Sequence, residues 1–278
     1  MLSSLHACLW LEGVTIDGEY KQFDDKTISS LFLGMSQRTS PTKKFEKEFR
    51  RDHNITSEYS AVKHIMEGNY QAGIEVLQRI EKETPNLYAT ASNLGTAYEL
   101  LGNLPLAVQW IQEGINRDPN SHHGTEWLHV LILQAKQKLL TEPGFLNMHH
   151  LIDLTNSFKE TDLIEIHGTP YSIAKIRDAL FYQLRERMVF VKPQEPIVAD
   201  LLYTFAKIEE QTTVLNEANK LLDMAINYGY TDAASIQEIR KSSDRAQVFM
   251  YLRYVGYFLL LVILLILYQR YQKKSSKG

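Results

Sequence analysis

Residues 88–120 read YATASNLGTAYELLGNLPLAVQWIQEGINRDPN, two amphipathic segments of helical length separated by Gly102-Asn103 and closed by Pro119. Leu94, Tyr98 and Ile111 stand at helical spacing, and Gly95 and Ala107 are small where two helix backbones would approach closely. Gly and Asn enter left-handed conformations at little cost, so Gly102-Asn103 is the expected turn of a helix hairpin. The hairpin has an upstream counterpart: Gly68-Asn69 and Pro85-Asn86 precede Gly102-Asn103 and Pro119-Asn120 by 34 residues each. A repeat of that length is one supersecondary unit, which cannot bury its apolar face alone and must stack on a neighbour.

The second copy, with Leu94-Gly95, Tyr98, Ala107, Ile111, Gly114 and Pro119 in register, resembles the tetratricopeptide repeat (TPR) family, with Ala91 standing where the family carries a Trp. The first copy starts at Asn54 and keeps the turn and the closing Pro, but places Ser60-Ala61 and His64 at the Leu-Gly and Tyr positions. A third match, residues 199–232, carries Phe205-Ala206, Ala218, Leu222 and Ala225, and ends on Tyr228-Gly229-Tyr230 without a Pro. The expected fold is therefore all-α, a TPR-like solenoid of helix hairpins followed by one C-terminal transmembrane helix.

Around these copies the chain divides as follows. Residues 1–42 form a non-repeat segment, in which Trp10 to Tyr20 around Asp17-Gly18 suggests a short hairpin or an extended piece. Residues 43–141 hold the array, with Lys43 to Asp52 expected as a solvated charged helix after a loop over Ser36 to Lys44. The array closes with a covering helix, Glu126 to Leu140, which stops before Pro143-Gly144. Residues 142–240 continue helical and include the third hairpin. There, Leu163 to Ile166 is expected as an extended connector, Thr169-Pro170 as a helix start ahead of Ile173, Ile176, Leu180 and Leu184, and Lys192 to Pro196 as a stiff break.

Residues 248–268 are membrane-length and apolar, with Tyr254, Gly256, Phe258, Leu261, Leu264 and Tyr268 marking the expected anchor. Tyr251, Tyr254 and Tyr257 at one end and Tyr268 and Tyr271 at the other suit interfacial belts, and Arg253 is near enough to one end to snorkel. Arg270, Lys273, Lys274 and Lys277 crowd the basic tail, 269–278, whereas Arg240, Lys241 and Arg245 are mixed with Glu238 and Asp244. The positive-inside tendency then puts the tail in the cytosol and the repeats outside it, periplasmic or its equivalent. That topology needs an export signal. Leu5-His6-Ala7-Cys8 looks like the end of one, with a remnant to about residue 7 and Cys8 open to lipidation. The alternative is a tail-anchored protein with cytosolic repeats.

Little points to chemistry. Lys and Arg total 30 against 33 Asp and Glu, a net charge of −3, and no basic stripe with interleaved aromatics marks a nucleic-acid surface. His122-His123 and His149-His150 lack the partners of a metal-site spacing and are expected as exposed or capping residues, so no metal or cofactor is expected. Glu165, His167 and Asp162 have acid/base residue types without a nucleophile motif or a phosphate loop, and no enzyme activity is expected. The family resemblance implies a concave groove lined by the first helix of each repeat, here Glu58 and Val62, then Ala89, Ser92, Asn93, Thr96 and Glu99, with Trp127 as an aromatic anchor. A protein or peptide partner in that groove and membrane lipid around the terminal helix are the implied partners. A membrane-anchored adaptor is the leading expectation, and a structural subunit of a larger integral complex the other.

Overall fold

A computed structural model describes residues 12–14, 20–22, 53–154, 157–212 and 215–275. The readings for Cys8, Ser36 to Lys44, Lys43 to Asp52 and Lys277 lie outside the described residues. In order, the elements are β1 (Glu12–Val14), β2 (Tyr20–Gln22), α1 (His53–Met66), α2 (Tyr70–Glu83), α3 (Tyr88–Leu101), α4 (Leu104–Arg117) and α5 (Glu126–Thr141). Then come β3 (Leu163–Ile166), β4 (Thr169–Ser172), α6 (Ile173–Phe190), α7 (Pro196–Thr212), α8 (Leu215–Tyr228) and α9 (Ala233–Ser275). The fold is all-α, with two isolated antiparallel two-stranded ribbons, β1–β2 and β3–β4.

Hairpins α1–α2 and α3–α4 pack side by side, and three helix ends close alike. Gly68, Gly102 and Gly229 have φ of +84°, +88° and +105°. The next residue's N–H reaches back to a carbonyl five residues earlier: Asn69 to His64 at 2.8 Å, Asn103 to Tyr98 at 2.8 Å and Tyr230 to Ala225 at 2.9 Å. A side chain at such a φ is strained, which is why Gly holds each place. Asn103 itself is not left-handed: it caps α4, its Oδ1 accepting the Leu106 N–H at 3.3 Å. Gly95 is where α3 and α4 nearly touch, for a Cβ there would lie 3.1 Å from the Ile111 nitrogen and closer still to its side chain. Gly73 does the same between α1 and α2, its Cβ position 3.1 Å from the Ala61 carbonyl oxygen.

Two cores result. Ala61, Ile65, Ile74, Leu77, Leu94 and Ile111 fill the first, and Ile176, Leu180, Leu201, Phe205, Leu222 and Tyr228 belong to the second. Helix α5 is more than a cover for the repeat stack. Leu133 joins the first core while Leu128, Leu131, Ile132 and Ala135 join the second, so one helix is the shared wall of both.

Two readings are corrected. Leu163 to Ile166 is a strand paired with Thr169–Ser172, not a lone connector, and the hairpin places Thr169-Pro170 in β4 opposite Ile166 and Glu165. The cap of α6 is instead Ser172, whose Oγ accepts the Lys175 N–H at 3.3 Å. Pro196 does occupy the first position of α7, behind Glu195, whose carboxylate accepts the Val198 N–H at 2.6 Å.

Helix α9 runs 43 residues without interruption. Asp232 caps it, accepting the Ala234 and Ser235 N–H groups at 3.0 and 3.1 Å. Ile236, Ile239 and Ser243 are buried against the body. Beyond them, Tyr251–Tyr268 form an 18-residue stretch of mean hydropathy 2.0 with none of it buried, long and apolar enough to cross a membrane.

Candidate functional site

The inner face of α3 presents Ser92, Asn93, Thr96 and Glu99, as the repeat register implies, but it does not face open solvent. Helix α6 lies across it, and Ser92, Asn93 and Glu99 are 6, 2 and 8 % exposed. What remains of the groove is a cavity of about 50 Å³, walled by those four residues and Leu100 on one side and by Gln183, Glu186, Arg187 and Val191 on the other.

A charge cluster forms its floor. Arg187 grips Glu99 with both terminal nitrogens, at 2.5 and 3.2 Å. Lys136 Nζ reaches the same carboxylate at 2.6 Å and His129 Nε2 at 2.8 Å. Glu126 stands on the other side of His129, its Oε2 3.3 Å from Nδ1, and its Oε1 meets His122 Nδ1 at 2.5 Å and the Tyr88 hydroxyl at 2.8 Å. With one carboxylate 2.8 Å from Nε2 and another 3.3 Å from Nδ1, the surroundings of the His129 ring favour its protonated form.

Electrostatics agree with that assignment. Burial alone would push the carboxyl of Glu99 up, but Arg187, His129 and Lys136 outweigh it and hold its pKa well below the usual range. Burial likewise opposes ionisation of Glu126, and its bonds to His122 and His129 overcome this and lower its pKa. His129 is raised despite burial, by Glu126 and Glu99. Glu99 and Glu126 thus face Arg187, Lys136 and the His129 ring, a cluster of opposed charges.

The turn into α5 is strained. His122, His123 and Gly124 have φ of 47°, 58° and 69° in succession. Left-handed backbone costs about 1–2 kcal/mol at a non-glycine residue, so side-chain packing has to hold it. His122 sits edge-on to Tyr88 with centroids 5.6 Å apart, and Tyr182 lies 5.3 Å from His122 and 5.2 Å from His123. Of the exposed or capping roles expected from the sequence, exposure does not hold for His122, whose side chain is 7 % exposed.

The other expected site residues fall elsewhere. Val62 and Ala89 are half-buried outside the cavity, and the side chain of Glu58 lies outside the described residues. Trp127 is not a groove anchor. One residue along the helix from Glu126 it points about 100° away, where it stacks on Tyr171 of β4 at 4.2 Å. His149 stacks on Phe145 at 5.0 Å, and His150 bonds Asp200 at 2.5 Å. Asp162, Glu165 and His167 are all exposed on or beside the β3–β4 ribbon. Among the described residues no three His, Cys, Asp or Glu side chains are placed to hold a metal ion.

The sequence reading missed Gln183, Glu186 and Arg187, which are 84 or more residues along from Glu99, and gave no role to Glu126-x-x-His129. Two titratable residues one turn apart in the apolar first half of α5 were the available signal. No known protein family, curated protein or solved structure matches this chain.

Proposed function

We propose that this chain is a membrane-anchored adaptor of the tetratricopeptide type, which holds a helical-repeat body at the bilayer surface and offers it to a protein partner. The observation that carries the reading is the continuity of α9. Its first turns are buried in the body at Ile236, Ile239 and Ser243, and the same helix supplies the 18 apolar, unburied residues Tyr251–Tyr268. A flexible tether would let the body roam, whereas one continuous helix fixes its height and direction relative to the bilayer.

Support for the repeat type comes from the 34-residue offset, the matching Gly closures, and Gly95 and Ala107 at the close approach of α3 and α4. Because α6 lies across the α3 face, the surface left for a partner is the mouth of the cavity with the half-exposed Thr96 and Leu100. At about 50 Å³ the cavity admits a side chain at most, so a peptide partner docks across its mouth. The basic tail favours repeats outside the cytosol.

The test is protease added to intact spheroplasts expressing the full chain, with the body followed by size. Loss of the body before lysis supports extracytoplasmic repeats. Protection of the body with loss of the tail alone makes this a cytosolic recruitment factor, and release of the intact chain by alkaline wash would sink the membrane anchor.

A further inference from the structure

Helix α9 does not stop where its apolar stretch ends. It continues from Tyr268 to Ser275, and positions 270, 273 and 274 of that extension are Arg, Lys and Lys. At about 100° per residue these positions share one face, within about 100° of arc. Tyr254, Tyr257, Leu261, Leu264 and Tyr268 lie on the opposite face. Between Asp244 and the last residue the sequence holds no acid to neutralise the basic positions.

Depth decides what they meet. If Tyr251–Tyr268 cross the bilayer, as proposed above, 18 residues cover about 27 Å of its roughly 30 Å hydrocarbon core. Positions 270, 273 and 274 then rise about 3, 7.5 and 9 Å past Tyr268, against a headgroup layer about 5–8 Å thick. That puts position 270 within the headgroup layer and positions 273 and 274 at its outer edge, all within side-chain reach of lipid phosphates. The other end of the span has a single base: Arg253 lies 5.7 Å from the Tyr257 ring centroid, and the bases upstream of it are mixed with Glu238 and Asp244.

We infer that this basic face of α9 binds anionic phospholipid headgroups in the leaflet on the C-terminal side of the span. Lys and Arg donate to phosphodiester oxygens, and a headgroup with no cationic nitrogen leaves net charge for them to neutralise, which sets phosphatidylglycerol apart from phosphatidylcholine with its quaternary ammonium. The contact is one-sided, so it selects a rotation of the helix as well as a leaflet.

The experiment is native mass spectrometry of the full chain in detergent, titrated with phosphatidylglycerol and with phosphatidylcholine of the same acyl chains. The expected result is retention of phosphatidylglycerol by about tenfold or more over phosphatidylcholine. The preference should disappear in the R270Q/K273Q/K274Q variant and survive R253Q. Equal retention of the two lipids, or a preference that persists in the triple variant, overturns the inference. Alkaline washing of membranes bearing the same proteins separates the two readings. A chain that resists washing yet shows no lipid preference leaves the anchor standing and removes the headgroup site, whereas a chain that washes out removes both.

Discussion

Glu99 carries more of the fold than its position on a repeat helix implies. It is the shared partner of Arg187, Lys136 and His129, from helices on both sides of the cavity. Glu99→Gln leaves Arg187 and Lys136 without the carboxylate they share and His129 with Glu126 alone, and breaking one side of a buried pair costs about 3–5 kcal/mol. The expected outcome is a loss of that size in urea unfolding. Adding Arg187→Met to Glu99→Gln should recover part of the loss, because it removes a charge that has become unpaired. A double variant no more stable than E99Q would contradict the shared-partner role. Gly95→Ala tests the close approach of α3 and α4. A helix interior ordinarily gains about 1 kcal/mol from this change, but here the new methyl meets Ile111, and overpacking costs about 1–3 kcal/mol. The net expectation is destabilisation, read from the shift in urea midpoint, whereas a gain would mean that the helices can part without cost.

Among the elements, the segment between α5 and β3 is held to α7 by a titratable clasp. His150 Nδ1 meets Asp200 Oδ1 at 2.5 Å, the Leu151 N–H donates to Asp200 Oδ2 at 2.9 Å, and the ring lies 5.3 Å from that of Tyr203. The bond to Asp200 raises the pKa of His150 above its ordinary value, with burial opposing. A raised folded pKa stabilises the protein fully below the unfolded value of about 6.5 and loses that contribution as pH rises through the folded value. Stability should therefore decline from near neutrality upward, more steeply in the native protein than in His150→Gln. Urea midpoints measured from pH 6 to 9 check this, and parallel curves would rule the clasp out as the source. The side chain of His150 is 38 % exposed, so solvent screens the effect and it will be modest. Glu99 and Glu126, with lowered pKa values, have the opposite sign: their contribution is present above about pH 4.5 and fades as acid protonates them.

For the whole molecule, α9 divides the chain into a packed body and an apolar rod. A chain cut after Asp244 keeps Ile236, Ile239 and Ser243 and with them the buried face of α9. It is expected to stay in the supernatant after ultracentrifugation and to keep the helical circular dichroism of a folded body, while the full chain pellets with membranes. If the shortened chain also pellets, the body itself carries a membrane-binding surface. Helix α5 makes a second prediction at this scale. As the common wall of both cores, it should make the body unfold in one transition, seen as coincident urea curves from Trp110 in the repeats and Trp127 on α5, each followed in a single-tryptophan variant.

What the sequence determined by itself was whatever depends on neighbours along the chain. The hairpins at Gly68-Asn69 and Gly102-Asn103, the breaks at Pro143 and Pro196 and the apolar run to Tyr268 all follow from helix period, left-handed glycine and proline geometry. Local geometry also misled where two local rules competed. Thr169-Pro170 fits a helix start, yet pairing of Leu163–Ile166 with Thr169–Ser172 satisfies its backbone as a strand and leaves the cap to Ser172. Only the tertiary structure decided that the expected groove is mostly filled by the chain's own α6. It also brought Arg187 to Glu99, 88 positions apart, and turned Trp127 towards Tyr171. The physical reason is that a buried charge is stable only beside its counter-charge, and which residue arrives there depends on how the two cores stack against α5, a relation that no local spacing records.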